Sequence, residues 1–454
     1  MIENKEEILS SGNRKPKEIC LQVIVHALKS VNPSIEIGKR VSISSKKLRI
    51  FGKQIDLDKI NDIYVIGGGK ASYAMAEELE NKLSDRIREG VIVTKYGYMR
   101  KPFSKLKVVE ANHPVPDQNG LEAGEEILQI ASEAEKDDLV INLISGGGSA
   151  LLCSPQDPIT LEEMQNTTDL LVKSGATINE INAVRKHISK IKGGKLAEKI
   201  HPASCISLIV SDVVGDPLDV IASGPTVPDP TTFEDAYRAL ENHSILEKVP
   251  KSVLDHISEG MKKKIRETPK KDRFRDMKID NIIISSNDKA TEAAAEKSKE
   301  LGFETLVLSR MIEGESKEVG IVTAGILRDI KRTQTPVGPP ATLISGGETT
   351  VKLSDEEGEG GPNQEFVLGA AAKISGFTDV AVAAIDTDGT DGPTDVAGGI
   401  VDGSTVKRLN ENGLKLPEVL RSHNSGFALK KLGDAIFTGP TGTNVNDLRI
   451  AVAL

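Results

Sequence analysis

The chain has 454 residues, enough for two or three domains with substantial cores. Its formal net charge of −9 and its 3% aromatic content, with no Trp, exclude broad nucleic-acid binding and a base-stacking platform but leave room for a local cationic pocket. The charged N-terminus lacks a hydrophobic leader, no apolar run reaches the ~18–20 residues that span a bilayer, and Cys20, Cys153 and Cys205 show neither metal nor disulfide spacing, so a reducing, cytoplasmic setting without membrane contact is expected.

In chain order, residues 16–30 have the period of an amphipathic helix, and residues 40–56 alternate as a hairpin or edge strands. The apolar run Ile63–Ile66 predicts a buried strand. Gly67, Gly68 and Gly69 break it, Lys70 follows, and Ala71–Leu79 predicts a helix. A strand, a glycine turn and a helix bring backbone N–H groups to an anion, and Lys70 adds a side-chain cation, so a phosphate or carboxylate is expected there. A tight connection without a ligand would use the same residues. Strands follow over 90–94 and 106–110. The next loop carries His113 and Asp117 among prolines, and a helix covers 118–135. The strand over 138–144 ends in a second turn, Ser145-Gly146-Gly147-Gly148-Ser149. This alternation predicts an α/β fold with a mostly parallel, Rossmann-like open sheet and ligands at the C-terminal ends of its strands.

Residues 160–200 are expected to be helical and to end in a basic cluster, Arg185, Lys186, His187, Lys190, Lys192 and Lys195. Arg185 and Lys192 share a helix face if the helix persists between them; Gly193-Gly194 stops or bends it. The strand over 206–210 leads to Asp212, where a catalytic or metal-binding carboxylate would sit, although a cap or turn aspartate fits equally. The charged stretch within 241–280 marks a boundary, giving domains 1–250 and 251–454. Beyond it, strands are expected over 281–286, 304–308 and 341–345, with helices over 287–301 and 316–331. The acidic, glycine-rich loop Asp355–Gly361 is expected to be mobile. The strand over 380–385 runs into Asp386, Asp388, Asp391 and Asp395. Carboxylates this close repel unless a cation or hydrogen bonds offset them. An EF-hand is excluded because Ala397 stands at its twelfth position, whereas magnesium shared with a nucleotide fits.

Among nucleotide readings, Gly67-x-Gly69-x-x-Ser72 misses the third glycine of the dinucleotide fingerprint, and the next strand ends in Lys95 rather than an acid. The Walker spacing and the protein-kinase signatures are absent. The glycine turns, Lys70, Arg185, Lys192, Asp212 and the aspartate loop suit phosphoryl transfer, which needs neutralised phosphate oxygens, a metal and a positioned hydroxyl.

Ile66–Ala71, His113–Asp117, Leu143–Leu152, Lys192–Ala197, Ser211–Asp216 and Ala222–Thr226 resemble the N-terminal domain of the class II glycerate kinases. Ser345–Thr350, Gly361–Glu365, Asp388–Gly392 and Gly439–Asn444 resemble their C-terminal MOFRL domain. The resemblance runs through nearly the whole chain in order. It implies a Rossmann-like N-terminal domain, a smaller C-terminal α/β domain and an active site in the cleft between them. It further implies ATP-dependent phosphorylation of D-glycerate, with 2-phosphoglycerate as the product of archaeal members, and ATP and Mg2+ or another divalent cation as cofactors. Members also carry an older label, hydroxypyruvate reductase. That alternative stays open, as does a non-catalytic nucleotide- or carboxylate-binding module, and a homo-oligomer is a candidate assembly. The family's catalytic lysine matches Lys70. Its arginine, within a Gly-Gly-Arg-Asn-Gln-Glu motif of some members, is Pro362 here, so either Arg185 supplies the cation or the role differs. In this reading Lys70 neutralises the transferring phosphoryl group and Arg185 clamps the glycerate carboxylate. The Gly67–Gly69 turn, the Ser145–Ser149 turn, Lys192, Asn363, Glu365 and Asn444 bind substrate or ATP. Asp212, or Asp386 with Asp388, holds the metal or orients the acceptor hydroxyl.

Overall fold

The computed structural model describes residues 1–352 and 358–454, so residues 355–357 of the acidic loop expected to be mobile lie outside it. Its contacts divide the chain into two compact units, Pro33–Ile284 and Met1–Asn32 with Ser285–Leu454.

The first unit opens with an antiparallel meander, β1 (Val41–Ser44), β2 (Lys47–Ile50) and β3 (Lys53–Asp56), where the alternation placed a hairpin. Its main sheet contains β4 (Ile63–Gly68), β5 (Ile87–Lys95), β6 (Leu106–Ala111), β7 (Leu139–Ile144), β8 (Ser204–Val210) and β9 (Ile279–Ser285), in the order β6-β5-β4-β7-β8-β9. The pairs from β6 through β8 are parallel. β4 and β7 are buried at every position, as continuous apolar runs require when helices cover both faces. The chain winds outward from β4 through β5 to β6, then returns to β7 on the other side of β4. The reversal leaves a crevice at the C-terminal ends of β4 and β7, where both glycine turns lie.

Three features differ from the sequence expectation. The segment 160–200 forms three helices, Leu161–Lys173, Ile178–His187 and Lys195–Ile200. Thr160/Glu163 and Thr177/Glu180 each close a capping box that starts a new helix, and Gly193 and Gly194 adopt positive φ before the third. Arg185 and Lys192 therefore do not share a helix face. The change of unit falls at 284/285 rather than 250/251. The helix Lys251–Met261 buries Val253 and Ile257 against Phe233 and Leu240, and the charged run beyond it leads back into the same sheet through β9. Finally, the first 32 residues belong with the C-terminal unit.

That unit holds β10 (Glu304–Ile312), β11 (Ala341–Gly347), β12 (Val380–Asp386), β13 (Gly398–Asp402), β14 (Ala435–Ile436) and β15 (Asp447–Ala453), in the order β10-β11-β15-β12-β13-β14. Only β10 and β11 run parallel; the terminal strand inserts between β11 and β12 and pairs antiparallel with both. One face packs on the helices Ser316–Thr333 and Pro362–Ile374, burying Leu327, Phe366 and Ile374. The other is covered by the helix Arg14–Ser30, which buries Leu21, Ile24 and Leu28 against Ala381 and Ile450. Pro362 stands in the first turn of its helix, where a fixed φ and a missing N–H are tolerated. Cys20, Cys153 and Cys205 are free and buried. Among the described residues, no helix is long and apolar enough to cross a membrane.

Candidate active site

The two glycine turns interlock. Lys70 N–H donates to Gly146 O at 2.8 Å, and Ala71 N–H to Ser145 Oγ at 2.9 Å. Gly69 has φ +144°, and a Cβ there would meet Ser145 Oγ at 2.2 Å, so only glycine lets the turns approach this closely. Gly147, at φ +81°, would place a Cβ 3.0 Å from His113 Cδ2 and 3.5 Å from Lys70 Cγ. Lys70 and His113 thus flank the Ser145–Ser149 turn, and His113 joins the site although the sequence reading gave its motif, His113–Asp117, no role there. Within the turn, the Gly148 N–H is directed at Ser145 O, 3.1 Å away. At the third position of the would-be dinucleotide fingerprint, Ser72 is fully buried, with its hydroxyl within hydrogen-bond distance of both Gly69 O and Val93 O, at 2.6 and 2.9 Å. Its hydroxyl pins the start of the helix Ser72–Leu83 to the sheet.

The basic cluster separates into partnered cations and a pair that faces a cavity. Lys186 Nζ lies 3.1 Å from Asp229 and 3.2 Å from Asp219. His187 meets Glu267 at 2.7 Å, and Lys190 meets Asp157 at 3.2 Å. Lys195 Nζ donates to the carbonyls of Lys186 and Ser189 at 2.9 and 2.6 Å, closing the end of the helix Ile178–His187. Arg185 and Lys192 instead line one narrow cavity with Ser149, Thr168, Pro114 and Pro116. Lys192 Nζ donates to Leu152 O at 2.5 Å. Among the described residues, neither cation has a carboxylate partner. Burial pushes the Lys192 ammonium down to about 8, with the nearby Arg185 charge acting in the same direction, and burial lowers Arg185 as well. Two desolvated cations without a counter-charge favour an entering anion.

The motifs around Gly193-Gly194 and Ala222–Pro225 hold this cavity. Gly193 N–H donates to Ser223 O at 2.9 Å, and Gly194 N–H to Gly224 O at 2.8 Å. Ser223 in turn bonds Ser149 and Asn182. The turn-rich composition of 222–225 was visible in the sequence; its closure onto Ser149 was not. Met164 and Thr168, which also line the cavity, come from the helix Leu161–Lys173 and carried no sequence signal. Asp117 caps the helix Gln118–Glu133 through Gly120 N–H at 3.0 Å. Asp212 follows β8, whose Ile209 pairs with Ile144 of β7, so it lies at the same sheet edge as the Ser145–Ser149 turn. A broader depression lined by Glu122, Glu125, Asp157, Glu162 and Lys190 is rimmed mainly by carboxylates and does not suit an anion.

In the other unit, the four aspartates after β12 have distinct partners. Asp391 accepts the N–H groups of Asn363 and Gln364 at 3.0 and 2.9 Å, capping the helix Pro362–Ile374. Burial raises its carboxyl to about 7. Asp395 pairs with Lys430 at 2.7 Å. Asp388 Oδ1 accepts from Thr390 N–H and Oγ1 at 2.8 and 2.7 Å, and Asp386 Oδ1 accepts from Asp388 N–H at 3.0 Å. Burial, then the charges of Asp388 and Asp447, raise the Asp386 carboxyl well above the usual range. A cation would relieve that repulsion, so the donor set suits a divalent ion. Among the described residues, no group of three or more His, Cys, Asp or Glu side chains forms a metal cage, but an ion shared with phosphate oxygens needs only one or two carboxylates. Asn363 Nδ2 donates to Asp447 Oδ1 at 2.6 Å and to Asp391 Oδ1 at 3.1 Å. Glu365 meets His423 at 2.7 Å, and Asn444 Oδ1 accepts Asn446 N–H at 3.5 Å.

The chain is similar to known proteins along nearly its whole length. Residues 19–258 match a family described as a domain of unknown function, DUF4147, and residues 341–447 match the MOFRL family. The chain is 48% identical to the glycerate 2-kinase of Pyrococcus horikoshii, covering 96% of this chain and 97% of that protein. It is 39% identical to the D-glycerate 2-kinase of Thermotoga maritima, covering 96% and 98%. The crystal structure of glycerate kinase from Thermotoga maritima superposes with a TM-score of 0.85 at 38% identity, covering 96% of this chain and 99% of that one. The chain belongs to the glycerate kinase family, the enzymes that carry a MOFRL domain.

Proposed function

We propose that this enzyme transfers the terminal phosphoryl group of ATP to the 2-hydroxyl of D-glycerate, giving 2-phosphoglycerate and ADP. The observation that carries the reading is the pair Arg185 and Lys192. Within a cluster whose other cations are partnered, these two line a single cavity beside the Ser145–Ser149 turn, with no carboxylate partner among the described residues. The Arg185 fork suits the glycerate carboxylate, and Lys192 adds a second charge in a desolvated setting. Lys70, beside Gly147, neutralises the phosphoryl oxygens as charge develops, and the Ser145–Ser149 turn offers backbone N–H groups to the phosphates; Gly69, Lys70 and Ala71 give theirs to Val93 O, Gly146 O and Ser145 Oγ, so the Gly67–Gly69 turn shapes the site by its close approach. Asp212 orients the acceptor hydroxyl. Asp386 and Asp388 are the carboxylates assigned to the divalent cation, which when bound neutralises nucleotide phosphate charge. Asn363, Glu365 and Asn444 complete the proposed set as residues that bind substrate or ATP.

The test is ADP release with Mg-ATP and D-glycerate, followed by offering the product to enolase without a mutase. Glycerate-dependent ADP and direct enolase turnover support the proposal. ADP without enolase turnover moves the phosphate to the 3-position. No ADP, with NAD(P)H consumed on hydroxypyruvate, restores the reductase; tight binding of either ligand without turnover leaves a binding module.

A further inference from the structure

Ser149, Ser223 and Asn182 form a hydrogen-bonded chain whose direction follows from the Asn182 carboxamide as the structure orients it, with Oδ1 toward Ser223. Ser223 Oγ lies 3.0 Å from Asn182 Oδ1, a carbonyl oxygen without a proton, so the Ser223 hydroxyl donates there. A hydroxyl has one proton to give. In the 2.9 Å contact between Ser149 and Ser223, the proton must therefore come from Ser149. The Ser149 oxygen is left with lone pairs only, and it lines the cavity that holds Arg185 and Lys192.

The backbone is built to keep this arrangement. Ala222 and Ser223 have φ +49° and +60°, the left-handed region that non-glycine residues occupy only when their surroundings over-determine it. Gly193 holds Ser223 O at 2.9 Å, and an added Cβ on Gly148 would meet Ala222 Cβ at 2.8 Å. Ser223 is fully buried and Asn182 is 2% exposed, so solvent does not compete for either group.

We propose that this relay makes Ser149 an obligate hydrogen-bond acceptor, which selects an acid bearing a hydroxyl rather than a carbonyl on the carbon beside its carboxylate. The inference rests on the reading that Arg185 and Lys192 hold the glycerate carboxylate. Ser149 lines the same cavity, so a carboxylate held by Arg185 and Lys192 turns the oxygen of its neighbouring carbon toward Ser149. A 2-hydroxyl donates to the waiting lone pair. A 2-keto oxygen meets it acceptor against acceptor, and Ser149 cannot turn its proton round without breaking the bond to Ser223. Asn182 has no site that takes a proton, so the relay reads the oxygen of the bound acid without deprotonating it, and Asp212 keeps its role of turning the hydroxyl for transfer. Ser223 and Asn182 are positioning residues.

The test is calorimetric titration of the full-length protein, with a non-hydrolysable ATP analogue present, by D-glycerate and by hydroxypyruvate, the keto form counted by carbon-13 NMR. The wild type should prefer D-glycerate by about tenfold or more. In Ser223→Ala the Ser149 hydroxyl is free to rotate, so hydroxypyruvate should bind more tightly than to the wild type and the preference should fall towards one. Ser149→Ala should weaken D-glycerate alone, which keeps the test decisive if Ser223→Ala folds poorly. Equal weakening of both acids by Ser223→Ala, or no preference in the wild type, overturns the relay. A wild type that binds neither acid overturns the reading of the cavity itself.

Discussion

Lys17 Nζ lies 2.6 Å from Asp434 Oδ1, and neither side chain reaches solvent, although 417 residues separate them. Asp402 lies 3.8 Å from the same ammonium, and its Oδ2 accepts Asn13 N–H at 2.6 Å. Arg408 bonds the far oxygen of Asp434. An added Cβ on Gly12 would come 1.9 Å from Asp402 Oδ2, so the segment preceding the helix Arg14–Ser30 is fitted to this charge cluster. Lys17→Met leaves two buried carboxylates with one cation. It should destabilise the protein by about 3–5 kcal/mol, read by urea unfolding, because an uncompensated buried charge remains. Lys17→Met with Asp434→Leu should recover part of that loss. A single variant with unchanged midpoint would show that the buried pair contributes nothing.

Lys70 is placed by backbone as well as side chain: its N–H is tied to Gly146 O at 2.8 Å, and its stem passes Gly147. Lys70→Met keeps that backbone bond and removes only the charge. If the ammonium acts on the developing phosphoryl charge, kcat should fall by about 10²–10³ while KM for glycerate changes little. An unchanged kcat removes Lys70 from the chemistry, and a rise in KM alone moves it to substrate binding.

The local elements were legible because their signals are local. The apolar runs ending at Gly67 and Ser145 became β4 and β7, and the helix over residues 16–30 appears as Arg14–Ser30. The two glycine turns were found for the physical reason that makes them useful, since only glycine permits the approach seen at Gly69. Long-range pairing was hidden. Nothing near Lys17 announces Asp434, so the packing of the N-terminal helix with the C-terminal unit left no local signal. Charge in 262–273 resembled a linker, whereas β9 beyond it completes the first sheet. Arg185 and Lys192 were singled out for a shared helix face, yet they converge because the capped helix ends at His187 and the Gly193-Gly194 turn brings the chain back.

Asp386 and Asp388 separate a structural from a metal role. Asp388 braces its turn by accepting from Thr390, and asparagine accepts equally well, so Asp388→Asn preserves the turn while removing a charge. With magnesium held here, Asp386→Asn and Asp388→Asn should each require about tenfold or more magnesium for half-maximal velocity, without loss of thermal stability. For Asp386 stability should rise slightly, because the variant removes a buried carboxylate crowded by Asp388 and Asp447. Unaltered magnesium titrations for both variants would leave the aspartates as turn formers.

If Lys192 contacts the bound anion, substrate affinity should depend on pH, with a sign set by burial. In the free protein its ammonium titrates at about 8, below the usual lysine value, because desolvation disfavours the charge. An anion in the cavity favours the charged form and raises that value. Below pH 8 the ammonium is already protonated and binding takes up no proton. Above pH 8 each binding event must also protonate Lys192, so KM for glycerate should rise about tenfold per pH unit until the value in the complex is reached. Lys192→Arg stays charged throughout this range, so its KM should be flat between pH 8 and 9.5 even if its absolute affinity is lower. Arg185→Met removes a charge that lowers Lys192, so its inflection should persist at a higher pH. Measuring KM at saturating Mg-ATP from pH 7 to 9.5 for the three proteins assigns the inflection. A slope that persists in Lys192→Arg places the titrating group elsewhere and removes Lys192 from the anion's first contacts.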